Sequence, residues 1–228
     1  MPRIDATLNF AGALAQAHRV FARAYPGFAK QCLDAALRAY RWAVENPDVT
    51  YPHNTEGSGG DGDERYDDEV FWARAMLYRE GQVAGADLKE LLLRDMEKCP
   101  PDLGMSWRDT QNLGWIALAL QSQDPDLQVR ARNTLKGVAD KIVKLAGEDP
   151  YGLSIRKFVW GSNGEIANHA LTLFLVDEWF PSKVYAGCAR RMLDFIFGKN
   201  PVDRCFVTGS AWSSPKFIHH RISHSDRS

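Results

Sequence analysis

The sequence predicts an all-α protein. Apolar residues recur at helical spacing in successive segments of the 228-residue chain, and Gly and Pro mark the segment ends. No segment shows the apolar–polar alternation that is typical of a strand. The helices follow one another through short links, which favours αα-hairpins stacked side by side. No fixed sequence period appears, so an array of tetratricopeptide-type repeats is disfavoured.

The first hundred residues contain four predicted helices. Pro26 suits the first turn of the second helix, and Pro47 stops that helix. Either Asp67 or Asp68 is expected to cap the third helix. In chain order the predicted spans are 7 to about 23, 26 to 46, 68 to 81, and 87 to about 98.

Four more helices are predicted in the second half of the chain. An acidic or amide residue, or a proline, stands where each is expected to start. The expected spans, in chain order, are Asp109 to Leu120, Pro125 to Gly147, Asn163 to Trp179, and Pro181 to Gly198.

Composition excludes several classes of function. A formal net charge of -1 argues against a surface for nucleic acid or anionic membrane. No run of 18 apolar residues is present, and the first residues do not resemble a signal peptide. The cysteines are scattered without a CxxC pair, which argues against a zinc knuckle; they are Cys32, Cys99, Cys188 and Cys205.

A segment near the end of the chain contains three consecutive candidate binding residues. His219, His220 and Arg221 follow one another there. Imidazole and guanidinium groups are hydrogen-bonding partners for a polyhydroxylated or anionic ligand. The alternative is a surface loop whose His and Arg side chains are simply solvated.

This region resembles the His signature of glycoside hydrolase family 9, the inverting cellulases and related β-glycosidases. The matching residues are Gly-Lys-Asn-Pro at 198–201, Phe-Val-Thr-Gly at 206–209, Pro215, His-His-Arg at 219–221, Ser223 and Asp226. Upstream motifs match in the same order, at 7–19, 62–63, 68–78, 106–109, 160–163 and 167–168.

The resemblance implies an (α/α)6 toroid of six helical hairpins, here incomplete, with about eight of the twelve helices. Residues 1–228 would then be part of one catalytic domain. Inversion needs a carboxylate base and a carboxylic acid roughly 6.5–9.5 Å apart. The family takes its base from an Asp-x-Gly-Asp stretch before the matched region and its acid from a Glu after it. We therefore expect this chain to lack both groups and to be inactive alone.

The resemblance also assigns substrate contacts to this chain. His219 matches the histidine at the scissile sugar, and Arg221 matches an arginine of the cleft; His220 faces the cleft or away from it. Trp160 matches an aromatic that stacks on sugar rings, with core packing as the alternative, and Trp107 is a similar candidate. The remaining helical tryptophans at 42, 72, 115 and 179 are predicted to be core residues.

An acidic, Gly-rich loop precedes the third helix. Hard oxygen ligands of this kind suit Ca²⁺, and the resemblance implies a structural calcium held by Asp68, Glu69 and Asp109. A solvated loop with a helix cap is the alternative. Asp61 stands where many relatives have a cleft-facing Tyr, which leaves shorter or different β-glycans open as substrates.

Three other interpretations remain open at this point. An exo-acting relative would remove single sugars from short oligosaccharides, and a non-catalytic scaffold would keep the fold without activity. A different α/α-toroid glycosidase is disfavoured by the ordered motifs. The resemblance implies a secreted or periplasmic protein, and no cofactor for catalysis.

Overall fold

The computed structural model describes residues 3–50, 63, 65–79, 88–122 and 124–216. All the regular secondary structure in these ranges is helical, which confirms the predicted fold class. The helices are α1 (Ile4–Phe21), α2 (Pro26–Glu45), α3 (Asp67–Arg79), α4 (Leu88–Lys98), α5 (Gln111–Gln121), α6 (Pro125–Gly147), α7 (Ser162–Trp179) and α8 (Lys183–Ile196). None of these helices is long and apolar enough to cross a membrane.

The chain forms two compact units, Met1–Leu135 and Lys136–Ser228, which divide within α6. In the first unit α1 packs against α2 and α3, and α3 packs against α4 and α5. In the second unit α7 packs against α8. Three pairs of consecutive helices, α1 with α2, α3 with α4 and α7 with α8, therefore pack against each other, as the prediction of helical hairpins requires.

Close contact between α3 and α5 organises the core of the first unit. Phe71 is fully buried and meets Trp115 edge to face, with ring centroids 5.7 Å apart. The indole N–H of Trp115 donates to the carbonyl of Cys99 at 2.8 Å. Gly114 lets the helices approach, because a Cβ there would lie 2.7 Å from the Phe71 ring. Trp115 is thus a core residue as predicted, whereas the tryptophans at 42, 72 and 179 are only half-buried.

Some helix starts differ from the predictions. Asp109 was expected to cap α5, but its carboxylate accepts from the Ser106 hydroxyl at 3.0 Å instead. The hydroxyl of Ser182, rather than Pro181, caps α8 by accepting from the backbone N–H of Val184 at 3.2 Å. α1 starts before the predicted position, because Ile4 is buried and its N–H donates to the carbonyl of Val49 at 3.0 Å.

Phe195, near the end of α8, is the centre of an aromatic cluster in the second unit. Phe158 stacks on its ring at a centroid distance of 6.1 Å. Tyr151 and Phe206 lie 6.0 and 6.1 Å from the same ring. The loops before α7 and after α8 are therefore fastened to one side chain.

All four cysteines are free and buried. Burial raises the pKa of the Cys99 thiol to about 12, and it also raises the pKa of Cys188. These thiols are packed as apolar groups.

Candidate functional site

A cavity of ≈ 440 Å³ lies between the start of α3 and the loop before α5. Its charged walls include the carboxylates of Asp63, Asp68 and Asp109 and the guanidinium groups of Arg65 and Arg108. We call it the acidic cavity. It collects two of the three predicted calcium ligands, Asp68 and Asp109, and adds Asp63.

The third predicted ligand, Glu69, lines a second pocket of ≈ 270 Å³. We call it the Trp107 pocket, and its walls include Asp5, Asn9, Asp63 and Trp107. One side-chain oxygen of each of Asp5, Asn9, Asp63 and Glu69 is buried without a hydrogen-bond partner. Arg3 also lines the pocket and its guanidinium lies 3.4 Å from the other carboxylate oxygen of Asp5. The oxygens that still lack partners favour a ligand that donates hydrogen bonds or carries positive charge.

Burial and neighbouring charge disfavour ionised carboxylates between the two cavities. Glu69 is 1% exposed, and burial, together with Asp68, raises its pKa to about 9. Burial also raises the pKa of Asp63, and the charges of Asp68 and Asp109 add to this effect. A bound cation would reverse this effect by favouring the charged forms.

The predicted ligands do not form a ready-made calcium site. Among the residues that the structure describes, no group of three or more His, Cys, Asp or Glu side chains could hold a metal ion. One carboxylate oxygen of Asp68 accepts from both the N–H and the hydroxyl of Thr110, at 2.7 and 3.1 Å. Asp109 is exposed and bonded to Ser106. The expectation that Asp68, Glu69 and Asp109 converge on one point is therefore not met here.

Trp107 lies on a loop that α5 holds in place. The side chain of Asn112 is 1% exposed and bonds to three backbone groups of this loop, the N–H and carbonyl of Asp102 and the carbonyl of Gly104, at 2.8–3.0 Å. A second clasp joins Ser106 and Asp109 through side-chain and backbone bonds. The indole of Trp107 is nevertheless 59% exposed at its pocket.

Trp160 is 91% exposed in the second unit, so it does not pack into the core formed by the described residues. It lies in a turn closed by Ser162, whose hydroxyl and N–H donate to the carbonyl of Val159 at 2.5 and 3.1 Å. Gly161 has a φ of 85°, a conformation that favours glycine. These bonds define the turn, in which the Trp160 side chain is largely exposed.

The candidates His219, His220 and Arg221 lie outside the described residues. So does Asp61. Sequence reasoning placed Asp63 in the acidic candidate loop but did not choose it as a ligand, and it missed Asn112. Asp63 could have been selected, because it follows Gly62 in the acidic loop, whereas the clasp by Asn112 leaves no local signature.

Comparisons with known proteins agree with the family resemblance that the sequence motifs indicate. The family model described as "Glycosyl hydrolase family 9" matches residues 1–228. The chain is 32% identical to the xyloglucan-specific endo-beta-1,4-glucanase BoGH9A of Bacteroides ovatus, over 98% of this chain and 41% of that protein. It is 31% identical to a cellulose 1,4-beta-cellobiosidase of Acetivibrio thermocellus, over 90% of this chain and 26% of that protein.

A solved structure of AaCel9A, in complex with cellobiose-like isofagomine, has a similar fold. The TM-score is 0.87 at 27% identity, and the match covers 99% of this chain and 44% of that chain. The chain thus spans less than half the length of these similar proteins. Matched motifs, helical fold and family model agree, and the chain belongs to glycosyl hydrolase family 9.

Proposed function

We propose that this chain is part of the catalytic domain of an inverting β-1,4-glucan hydrolase, and that it supplies part of the substrate-binding surface. The observation that carries the proposal is the exposure of Trp107 and Trp160 on well-bonded loops, at the positions that the family motifs assign to the cleft. Sugar rings have apolar C–H faces, which a flat indole covers while its N–H remains available for a polar partner.

The His-His-Arg motif would supply polar contacts to the same substrate. His219 and Arg221 are proposed to hydrogen-bond to sugar hydroxyls at the scissile unit, with His220 as an additional candidate. Contacts of this kind accelerate the reaction when they strengthen as the ring distorts towards the oxocarbenium-like transition state.

The proposed reaction requires two carboxyl groups beyond those assigned here. By resemblance, the base that activates water and the acid that protonates the leaving oxygen come from segments outside the matched region. We therefore propose that the 228-residue chain binds glucan but does not hydrolyse it by itself. By the same resemblance, the protein is secreted or periplasmic.

An exo-acting enzyme is the second candidate. This candidate stays open because the chain is almost as similar to the cellobiosidase, at 31% identity, as to the endoglucanase, at 32% identity. The products separate the two candidates: an endo-acting enzyme lowers the viscosity of carboxymethylcellulose early, whereas an exo-acting enzyme releases short sugars first.

A structural calcium ion is a further part of the proposal. Among the described residues no three acidic side chains already surround one point, but Asp63 and Glu69 each have a buried carboxylate oxygen without a hydrogen-bond partner near Asp68. An ion would therefore have to draw these oxygens together. Oxygen ligands of this type are those that Ca²⁺ prefers. The ion would neutralise Asp63, Asp68 and Glu69 and fix the start of α3, with Asp109 as the remaining predicted ligand.

Binding of cello-oligosaccharides to the purified chain tests the proposed function. Isothermal titration with oligosaccharides of increasing length should show affinity that rises with length. The variants Trp107→Ala and Trp160→Ala should each weaken it. The control Tyr25→Ala removes an exposed aromatic that lies outside the motifs, so it should have no effect. Equal affinity in all four proteins would contradict the proposal.

A further inference from the structure

Trp212 is an exposed aromatic residue that no motif above assigns. It is 85% exposed, almost as much as Trp160, and it precedes the His-His-Arg motif in the loop after α8. Large apolar side chains are usually buried, and an indole left in water gives no stability to its own fold. An indole this exposed on a bonded loop is available to contact a ligand.

The turn around Trp212 is closely bonded. The backbone N–H of Ala211 donates to the hydroxyl of Ser214 at 2.8 Å, and the N–H of Ser214 donates to the carbonyl of Ala211 at 3.0 Å. The hydroxyl of Ser213 accepts from the N–H of Cys205 at 3.2 Å. Bonds thus flank Trp212 on both sides, and they hold its backbone in one conformation.

Trp212 and Trp160 also share a support. The loop that carries Trp212 begins at Phe206, which contacts the Phe195 ring and donates its N–H to the carbonyl of Ile196 at 2.8 Å. Phe158, two positions before Trp160, stacks on the same Phe195 ring. Both exposed indoles therefore extend from loops that are anchored at the end of α8.

We propose that Trp212 is a further aromatic contact for the β-1,4-linked glucan, in addition to Trp160. This inference rests on the proposed function and adds a residue that the family motifs do not assign. A rigid loop that presents an indole is pre-organised, so stacking on a sugar ring costs little conformational entropy. The expected ligand is a chain of several sugars rather than a single sugar, because two indoles that stack on one glucan need at least two rings.

Chemical protection is one test that needs no variant. N-bromosuccinimide oxidises accessible indoles, and peptide mapping by mass spectrometry reports each tryptophan separately. Trp160 and Trp212 should react in the free chain, and cellohexaose should slow the oxidation of both. Protection of Trp160 with unchanged oxidation of Trp212 would overturn the inference but leave the proposed function intact. Protection of neither would count against both.

Substitution gives the quantitative test. Trp212→Ala should weaken binding of cellohexaose by about tenfold, the effect of losing roughly 1.4 kcal/mol, whereas Trp212→Phe should recover part of that loss. Cellobiose binding should change much less, because a short ligand does not need every contact. The Tyr25→Ala variant is the matched control, and circular dichroism checks the fold of each protein. Wild-type affinity of Trp212→Ala for cellohexaose would refute the inference.

Discussion

The carboxylate of Asp68, in the first turn of α3, accepts a hydrogen bond from the backbone N–H of Thr110, 2.7 Å away at the start of α5. It also accepts from the Thr110 hydroxyl. The first N–H groups of a helix have no partner within that helix, so Asp68 acts as a cap for a helix to which it does not belong. One carboxylate thereby joins the acidic cavity to the α3–α5 core.

Substitutions of Asp68 should separate its structural role from any role in calcium binding. Asp68→Ala leaves the buried N–H of Thr110 unsatisfied, which should lower the free energy of unfolding by about 1–3 kcal/mol. Asp68→Asn keeps an acceptor oxygen but removes the charge, so it should retain most of the stability in chelator. Thermal melts with EDTA and with calcium measure both effects.

The rise in melting temperature with calcium should disappear in both Asp68 variants. An Asp68→Asn protein that keeps the full calcium response would remove Asp68 from the ligand set. No calcium response in the unaltered protein would remove the proposed calcium ion itself.

Stability in the absence of calcium should depend on pH through Glu69. Its pKa is 4.5 in an unperturbed carboxyl and about 9 in the folded chain. A raised pKa means that the folded state binds the proton more tightly, so the stabilisation is complete below pH 4.5 and is lost as pH rises towards 9. Glu69→Gln is uncharged throughout and should flatten this part of the stability profile.

With calcium present, stability should rise with pH instead of falling, because calcium binds the ionised carboxylate of Glu69. Melting temperatures measured from pH 5 to 9 should show a calcium effect that grows with pH in the unaltered chain. In EDTA, an equal slope of melting temperature against pH in Glu69→Gln and in the unaltered chain would show that Glu69 does not cause the pH dependence.

The close approach of α3 and α5 should make Gly114 intolerant of a side chain. A Cβ at Gly114 meets the fully buried ring of Phe71 at 2.7 Å, so Gly114→Ala should destabilise by about 1–3 kcal/mol. Gly137 in α6 has nothing within 4 Å of a built Cβ. Gly137→Ala is the control and should stabilise by about 0.5–1 kcal/mol. Urea denaturation of both variants measures the difference, and equal stabilities would refute the packing argument.

Truncation of Trp160 should affect glucan binding, whereas truncation of Trp115 should affect stability. Trp160 is exposed, so Trp160→Ala should reduce glucan affinity without changing the melting temperature. Trp115 is 2% exposed and hydrogen-bonded to Cys99, so Trp115→Ala should cost about 3–5 kcal/mol of stability. Calorimetric melts and oligosaccharide titration of both variants check this contrast. A large loss of stability in Trp160→Ala would show that Trp160 contributes to the packed core.

The chain alone should not hydrolyse β-glucans at a rate typical of its family. General acid and general base catalysis are each worth roughly 10²–10⁴-fold, and both groups are proposed to lie outside the matched region. Assays on carboxymethylcellulose and aryl β-glucosides should compare the 228-residue chain with a polypeptide extended at both ends. Robust turnover by the shorter chain, abolished in His219→Ala, would show that its own residues include the catalytic groups.

Local signals predicted the helices well. Pro26 and Pro125 stand at the first positions of α2 and α6, as expected, because proline needs no N–H partner there and its φ already suits a helix. Asp124 accepts from the N–H groups of Asp126 and Leu127 at the start of α6. Such interactions span a few residues and can be recognised in the sequence.

Interactions between distant segments could not be predicted in the same way. Asp68 and Thr110 are 42 positions apart, and no local pattern links them. The raised pKa values of Asp63 and Glu69 likewise depend on burial by several elements. The family resemblance indicated that this region matters, but it did not indicate which carboxylate caps a helix or which carboxylate oxygens have no hydrogen-bond partner.

The reactivity of the four buried cysteines should report how often the surrounding structure opens. A thiol reagent reaches a packed sulfur only when the surrounding structure opens, and the high pKa of Cys99 further slows its reaction. Cys32 and Cys99 belong to the first unit, whereas Cys188 and Cys205 belong to the second. Peptide-resolved labelling rates would therefore time the opening of each unit separately in unmodified protein.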